Sequence, residues 1–278
     1  MASPFSTHEV TNQPPPLVGY DVFGADTALA EAVQREGAGW ATDDLHQLGR
    51  RAGSEEWQEE GRRAEANRPV LRTHDRYGNR IDLVDYHPAY HRLMATAVEH
   101  GLHAAPWADE RPGAHVARAA KVITWYQVDG GHICPISMSY SVVPALRHAP
   151  DVAAEWEPRL TSSSYDPAHR PAAEKAGATC GMAMTEKQGG SDVRANTTVA
   201  RPDGDGYRLT GHKWFCSAPM SDGFLMLAQA SGGLSCFWVP RFTPDGARNP
   251  IAIQRLKDKL GDRSNASSEI ELLDTWGA

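Results

Sequence analysis

No run of roughly 18 consecutive apolar residues occurs in the sequence, so a membrane-spanning helix is not its organising feature. Residues 1–13 are polar and lack the apolar centre of a secretory leader, which makes a cytoplasmic protein with no membrane partner the expectation. Cysteine is scarce. The four thiols, Cys134, Cys180, Cys216 and Cys236, are widely spaced with no C-x-x-C, which argues against a disulfide framework and a zinc site and leaves buried thiols as the expectation. The common nucleotide fingerprints are missing too. Gly177-Ala178-Thr179-Cys180-Gly181-Met182 lacks the G-x-G-x-x-G spacing and no G-x-x-x-x-G-K-[ST] occurs, so neither a Rossmann nor a P-loop site has support. Positive charge is not in excess: 28 Lys and Arg stand against 35 Asp and Glu, a formal net charge of −7 with no overall attraction to nucleic acid. Arg50-Arg51 and Arg62-Arg63, the densest basic runs, are interleaved with Glu55, Glu56, Glu59 and Glu60 and read as a solvated helix face.

A chain of 278 residues that is 41% hydrophobic can bury a sizeable core. Residues 1–25 read as an extended arm, because Pro14, Pro15 and Pro16 fix φ away from a continuing helix. Residues 26–178 read as helical. Asp26 and Thr27 cap a run at 28–35, Ser54 ahead of Glu55 and Glu56 opens another, and His87-Pro88 starts an amphipathic run toward Gly101. Arg111-Pro112-Gly113 introduces an alanine-rich helix over 114–128, stopped by Asp129-Gly130-Gly131. From 179 to 278 the pattern changes to short apolar and aromatic segments, at 207–216, 223–230, 234–240, 251–256 and 267–273, separated by Gly, Pro, Asp or Asn. The fold class is therefore α+β, an all-α domain followed by an antiparallel β domain of barrel or sandwich type. His87 and His91 have helical i, i+4 spacing but no third ligand, so no metal is expected. His100 and His103 read as a helix C-cap, and Trp125, Tyr126 and Tyr140 as core or interface residues.

The chemistry concentrates in Met184-Thr185-Glu186-Lys187-Gln188-Gly189-Gly190-Ser191-Asp192. A glycine pair lets backbone N–H groups approach a polyanionic ligand, and Ser191 adds a hydroxyl. Alone, this is also what a polar surface turn looks like. Downstream lies Gly211-His212-Lys213-Trp214-Phe215-Cys216-Ser217-Ala218. In this order the two resemble the FAD-binding motifs T-E-x-x-x-G-S-D and G-x-K-x-W-I-T-N of the acyl-CoA dehydrogenase family. Lys259-Leu260-Gly261-Asp262-Arg263-Ser264-Asn265-Ala266-Ser267-Ser268-Glu269 resembles the family's K-x-G-x-R-x-S-x-T-x-E, with Asn265 and Ser267 as departures. Gln188, Arg35-Glu36-Gly37-Ala38-Gly39-Trp40, Cys134-Pro135-Ile136-Ser137-Met138 and Arg255-Leu256-Lys257-Asp258 are similar to its AidB-type branch, flavoproteins linked to the adaptive response to DNA alkylation.

The resemblance implies an FAD enzyme that oxidises an acyl-CoA thioester, with hydride passing to flavin N5. Met182, Ala183, Met184 and Thr185 would run along the flavin, Thr185 bonding its pyrimidine side, while Gly190 and Ser191 face the pyrophosphate. Cys216, Ser217 and Ala218 would lie against the ring, with the Ser217 hydroxyl near N5, Phe215 stacking in place of the family tryptophan, and Ala218 replacing an asparagine. No catalytic residue is assigned: the family's base is a glutamate of a C-terminal α-bundle, absent here and expected beyond Ala278, and Glu186 is read as holding the loop or a cation. That same domain would supply further grip on FAD and a DNA-contacting surface, so residues 1–278 alone are expected to be inactive, and the full-length form a homotetramer. The competing reading is a DNA-associated alkylation-response protein in which FAD is structural or destroys alkylating agents.

Overall fold

The computed structural model describes residues 5–278; the first four residues of the expected arm lie outside them. The arm has no regular element as far as Tyr20 and gives way to helix sooner than its composition suggests. Asp21 accepts a hydrogen bond from Gly24 N and caps a single turn, α1 (Val22–Ala25). Asp26 then caps α2 (Thr27–Arg35) through Leu29 N, and Ser54 caps α4 (Glu55–Ala66), with α3 (Thr42–Ala52) between them. Pro88 occupies the first turn of α5 (Pro88–Glu99), where its missing N–H costs nothing. A short α6 (Ala105–Ala108), α7 (Ala114–Tyr126), α8 (Ile133–Leu146) and α9 (Pro150–Leu160) complete the helical layer. Its core holds Leu48, Trp57, Leu93, Leu102, Trp125 and Ile136. Tyr126, by contrast, is exposed.

The region expected to be all helical contains a hairpin, β1 (Val70–His74) and β2 (Arg80–Asp85). Its turn is built by Asp75, which accepts from Tyr77 N and Asn79 N, and by Gly78 at φ 85°. The hairpin serves the second domain: buried Asp82 accepts from Ile253 N (3.0 Å) and pairs with Arg80 and Arg248.

The second domain is one seven-stranded sheet ordered β3 (Cys180–Ala183), β6 (Gly223–Ala230), β4 (Val199–Asp203), β5 (Gly206–Ser217), β9 (Ser267–Gly277), β8 (Ile251–Leu256), with β7 (Gly233–Pro240) on β6. Most pairings are antiparallel, as expected. β3 and β4, however, run parallel to β6, which makes the sheet mixed. The chain enters β3 from α9 through a long connection instead of a hairpin, so no tight turn imposes the opposite direction. A shared core joins the layers: Val142, Val143 and Leu146 of α8 and Trp156 of α9 pack with Cys180, Leu225 and Trp238. The Trp156 and Trp238 rings meet edge-on at 4.7 Å. Burial of each such side chain contributes about 1.5–3 kcal/mol, so the two layers are held as one body.

Candidate flavin site

The end of β3 and the end of β5 come together. Met182 is in register with Ser217, and Trp214 N donates to Thr185 O at 2.8 Å, so the two sequence motifs form one surface. Strand alternation then sorts the residues. Ala183 and Cys216 point into the β core and are buried, so they can offer a ligand only backbone; Ala218 is buried too, and its φ of 51° turns the chain away from the strand. Met182 and Met184 are half-buried against the shared core. Gly190 and Ser191 are exposed on the loop. Of the glycine pair only Gly189 uses the left-handed region, at φ 148°. Gly190 matters for another reason, since a Cβ there would come 2.8 Å from Thr185 Cγ2 and displace that side chain.

Two hydroxyls face this junction. Thr185 Oγ1 is buried and has no partner among the described residues. Such an orphan costs about 1–3 kcal/mol until a ligand or water satisfies it. Ser217 Oγ lies 3.1 Å from Ser267 Oγ and touches the Cys134 thiol, whose pKa burial pushes up while the Ser217 contact lowers it in part. Beside them Phe215 is 45% exposed, with Lys257 Nζ 4.6 Å from its ring centroid. An unpaired buried hydroxyl, a half-exposed aromatic ring and a Gly189-Gly190 pair without Cβ atoms fit a flavin and its phosphates.

Glu186 is not free to act as a base. Its carboxylate is fully buried and accepts from Lys213 Nζ (3.0 Å), Thr197 N (2.7 Å), Thr198 N (3.0 Å) and Gln188 Nε2 (2.7 Å). Burial raises its pKa, but the bonds from Thr198, Thr197 and Lys213 outweigh that and hold it well below the usual carboxylate range. It fastens the loop to β5.

The third motif docks on the helical layer. Asp129 Oδ2 lies 2.9 Å from His132 Nδ1 and accepts from Ser264 Oγ (2.9 Å), and Glu65 accepts from Arg263 N and Ser264 N. Gly131 permits this approach, because a Cβ would strike Ser264 Oγ and lie 3.0 Å from Asn265 N. Ser267, Cys134 and Lys213 were not singled out as site residues; the motif match to a family threonine marked Ser267, whereas only tertiary packing brings Cys134 here.

His87 is the N-cap of α5 and His91 Nδ1 lies 2.9 Å from Tyr165 Oη; among the described residues no group of three metal-ligating side chains occurs. His100 caps α5, but His103 is buried elsewhere, against Ser162 O at 3.0 Å, and burial lowers its pKa to about 4. Cys180 and Cys216 are buried, Cys134 is half-buried, and Cys236 is exposed, against expectation, on the outward face of β7. No helix among the described residues is long and apolar enough to cross a membrane.

Residues 12–167 match the Adaptive response protein AidB N-terminal domain, and residues 181–275 the Acyl-CoA dehydrogenase, middle domain. The chain is 50% identical over 276 residues to the putative acyl-CoA dehydrogenase AidB of Escherichia coli strain K12, covering 98% of this chain and 51% of that protein. The structure of Caenorhabditis elegans ACDH-11 in complex with C11-CoA superimposes with a TM-score of 0.84 at 28% identity, over 98% of this chain and 48% of that one. A glutaryl-CoA dehydrogenase from Mycobacterium smegmatis in complex with FADH2, at 22% identity over 67% of this chain and 45% of that one, shares the fold with a TM-score of 0.52. The chain thus spans about half the length of the AidB relative. With both halves matched in order along the chain, it belongs to the acyl-CoA dehydrogenase family, in its AidB branch.

Proposed function

We propose that this chain binds FAD at the β3–β5 junction and is the flavin-binding part of an AidB-type acyl-CoA dehydrogenase. The observation that carries the reading is the buried, unpartnered Thr185 Oγ1, on the first motif where Trp214 N of the second holds it. FAD is the cofactor expected of this family, and the C11-CoA held by ACDH-11 supports an acyl-CoA thioester as the substrate class. When bound, the flavin supplies the hydride acceptor for α,β-oxidation of the acyl group. Thr185 would bond its pyrimidine side, Gly190 and Ser191 would hold the pyrophosphate, and the Ser217 hydroxyl would lie near N5. The backbone of Met182, Ala183, Met184, Cys216 and Ala218 would line the ring. The engaged carboxylate of Glu186 positions the loop, and the proposal assigns no base among these residues. Against a DNA-binding role for this part, Arg62 and Arg63 are ion-paired with Glu59 and Glu60 on α4.

The test is an equilibrium FAD titration, followed by quenching of flavin fluorescence, on Thr185→Ala and Ser191→Ala. Each variant removes a hydrogen bond worth about 1 kcal/mol, so affinity should fall about fivefold. Unchanged affinity in both removes the assignment.

A further inference from the structure

Ser217 is the last residue of β5 and lies in register with Ser267, the first of β9. The backbone is held on both sides of it: Cys216 O accepts from Ser268 Oγ (3.0 Å) and Ala218 N donates to Ala266 O (2.9 Å). The hydroxyl rotor is therefore the main freedom left to Ser217. One neighbour can set it. Ser217 Oγ and Ser267 Oγ are 3.1 Å apart, a hydrogen bond in which either oxygen could be the donor.

The surroundings of the pair decide the direction. Two hydroxyls carry two protons, and the bond between them uses one. If Ser217 donated, the proton left over would belong to Ser267, which is only 5% exposed and whose hydroxyl has no other partner among the described residues. A buried donor without an acceptor costs about 1–3 kcal/mol. The field behind Ser267 opposes that arrangement too. Ser267 borders a hollow of about 60 Å³ whose walls include Arg68, Lys257, Lys259 and Arg263 and no carboxylate. Lys259 has no ion pair among the described residues, its Nζ donating to Asp262 O at 2.7 Å. A hydroxyl dipole turns its oxygen toward such cations and its proton away from them, which leaves Ser217 Oγ as the acceptor for Ser267.

The remaining proton then sits on Ser217, which is half-buried and in register with Met182 at the β3–β5 junction. The Cys134 thiol that touches Ser217 does not compete for it, because burial keeps the thiol protonated and sulfur is a weak acceptor.

We infer that Ser267 is a positioning residue: it donates to Ser217 Oγ and so aims the Ser217 proton at N5 of the bound flavin, the nitrogen that receives hydride. The inference rests on the flavin assignment proposed above and adds to it a residue that acts through Ser217.

The protein saturated with FAD isotopically labelled at N5 tests it by nitrogen NMR. Ser217→Ala removes the donor and should move the N5 resonance toward its position in an aprotic solvent. Ser267→Ala should move it in the same direction by at least about half as much, because a rotor free to visit several staggered wells donates to N5 only part of the time. Ser267→Thr keeps the hydroxyl and should restore the wild-type position. Ser267→Cys, close in shape but a weak donor, should resemble Ser267→Ala and serves if that variant does not fold. Cys134→Ala removes a neighbour of Ser217 without removing a strong donor and should leave the resonance in place. A resonance that moves in Ser217→Ala but not in a folded Ser267→Ala or Ser267→Cys, that is not restored in Ser267→Thr, or that moves as far in Cys134→Ala would overturn this inference alone. A resonance unmoved in Ser217→Ala, or no FAD bound by the protein, would overturn the flavin assignment and this inference with it.

Discussion

Replacing Lys213 with Met strands a charge at the centre of the proposed flavin loop. Lys213 and Glu186 are both fully buried, and Lys213 Nζ also donates to Leu227 O at 2.6 Å, so the pair ties the loop to β5 and to β6. Methionine matches the stem but leaves Glu186 without its cation. Removing one partner of a buried pair costs about 3–5 kcal/mol. Thr197 N, Thr198 N and Gln188 Nε2 still donate to the carboxylate, which places the expected loss near the lower end, about 3 kcal/mol. Adding Glu186→Gln removes the stranded charge, so the double variant should be more stable than Lys213→Met by at least about 1 kcal/mol. Urea unfolding at pH 7, followed by tryptophan fluorescence, measures both. A loss under about 1 kcal/mol for the single variant, or no recovery in the double, refutes the reasoning. The pH dependence has a defined sign. Glu186 ionises more readily folded than unfolded, so its contribution is fully present above the ordinary value of 4.5 and is lost as pH falls below it. Glu186→Gln should flatten that part of the acid limb.

Two further outcomes follow from packing. Gly131→Ala should destabilise the chain by about 1–3 kcal/mol, read from the same unfolding curves, because its Cβ has to push Ser264 and Asn265 off the helical layer; wild-type stability would mean that this contact is loose. Among the thiols, exposed Cys236 should react first with Ellman's reagent, and Cys216, buried with its pKa raised to about 12, only after denaturation; rapid modification of Cys216 would contradict its place in the core.

Local chemistry made several elements readable. Asp26, Ser54 and His87 cap the helices they were expected to open, and 223–230 and 251–256 are strands within those bounds, because caps and turn residues act over three or four positions. What escaped depends on distant partners. β3 is four residues long, and its parallel alignment on β6 is set by a connection whose path no local pattern encodes. The β1–β2 hairpin did carry a signal, Asp75 and Gly78 between two short apolar runs, which the surrounding helices obscured. At the candidate site, the motifs point to Thr185 and Ser217, but which of Met182 to Thr185 and Cys216 to Ala218 face outward follows from register, and the Cys134 contact from helix packing.

The roles proposed for Thr185, Gly190, Ser191 and Ser217 all require flavin at the β3–β5 junction. Amide hydrogen exchange of the 278-residue chain, with and without saturating FAD, tests this without requiring turnover. Slowed exchange in peptides covering 182–191 and 214–218, with the exposed tip around Tyr77 unaffected, is the predicted result. Protection elsewhere, or none at FAD concentrations that saturate the fluorescence titration, would contradict it.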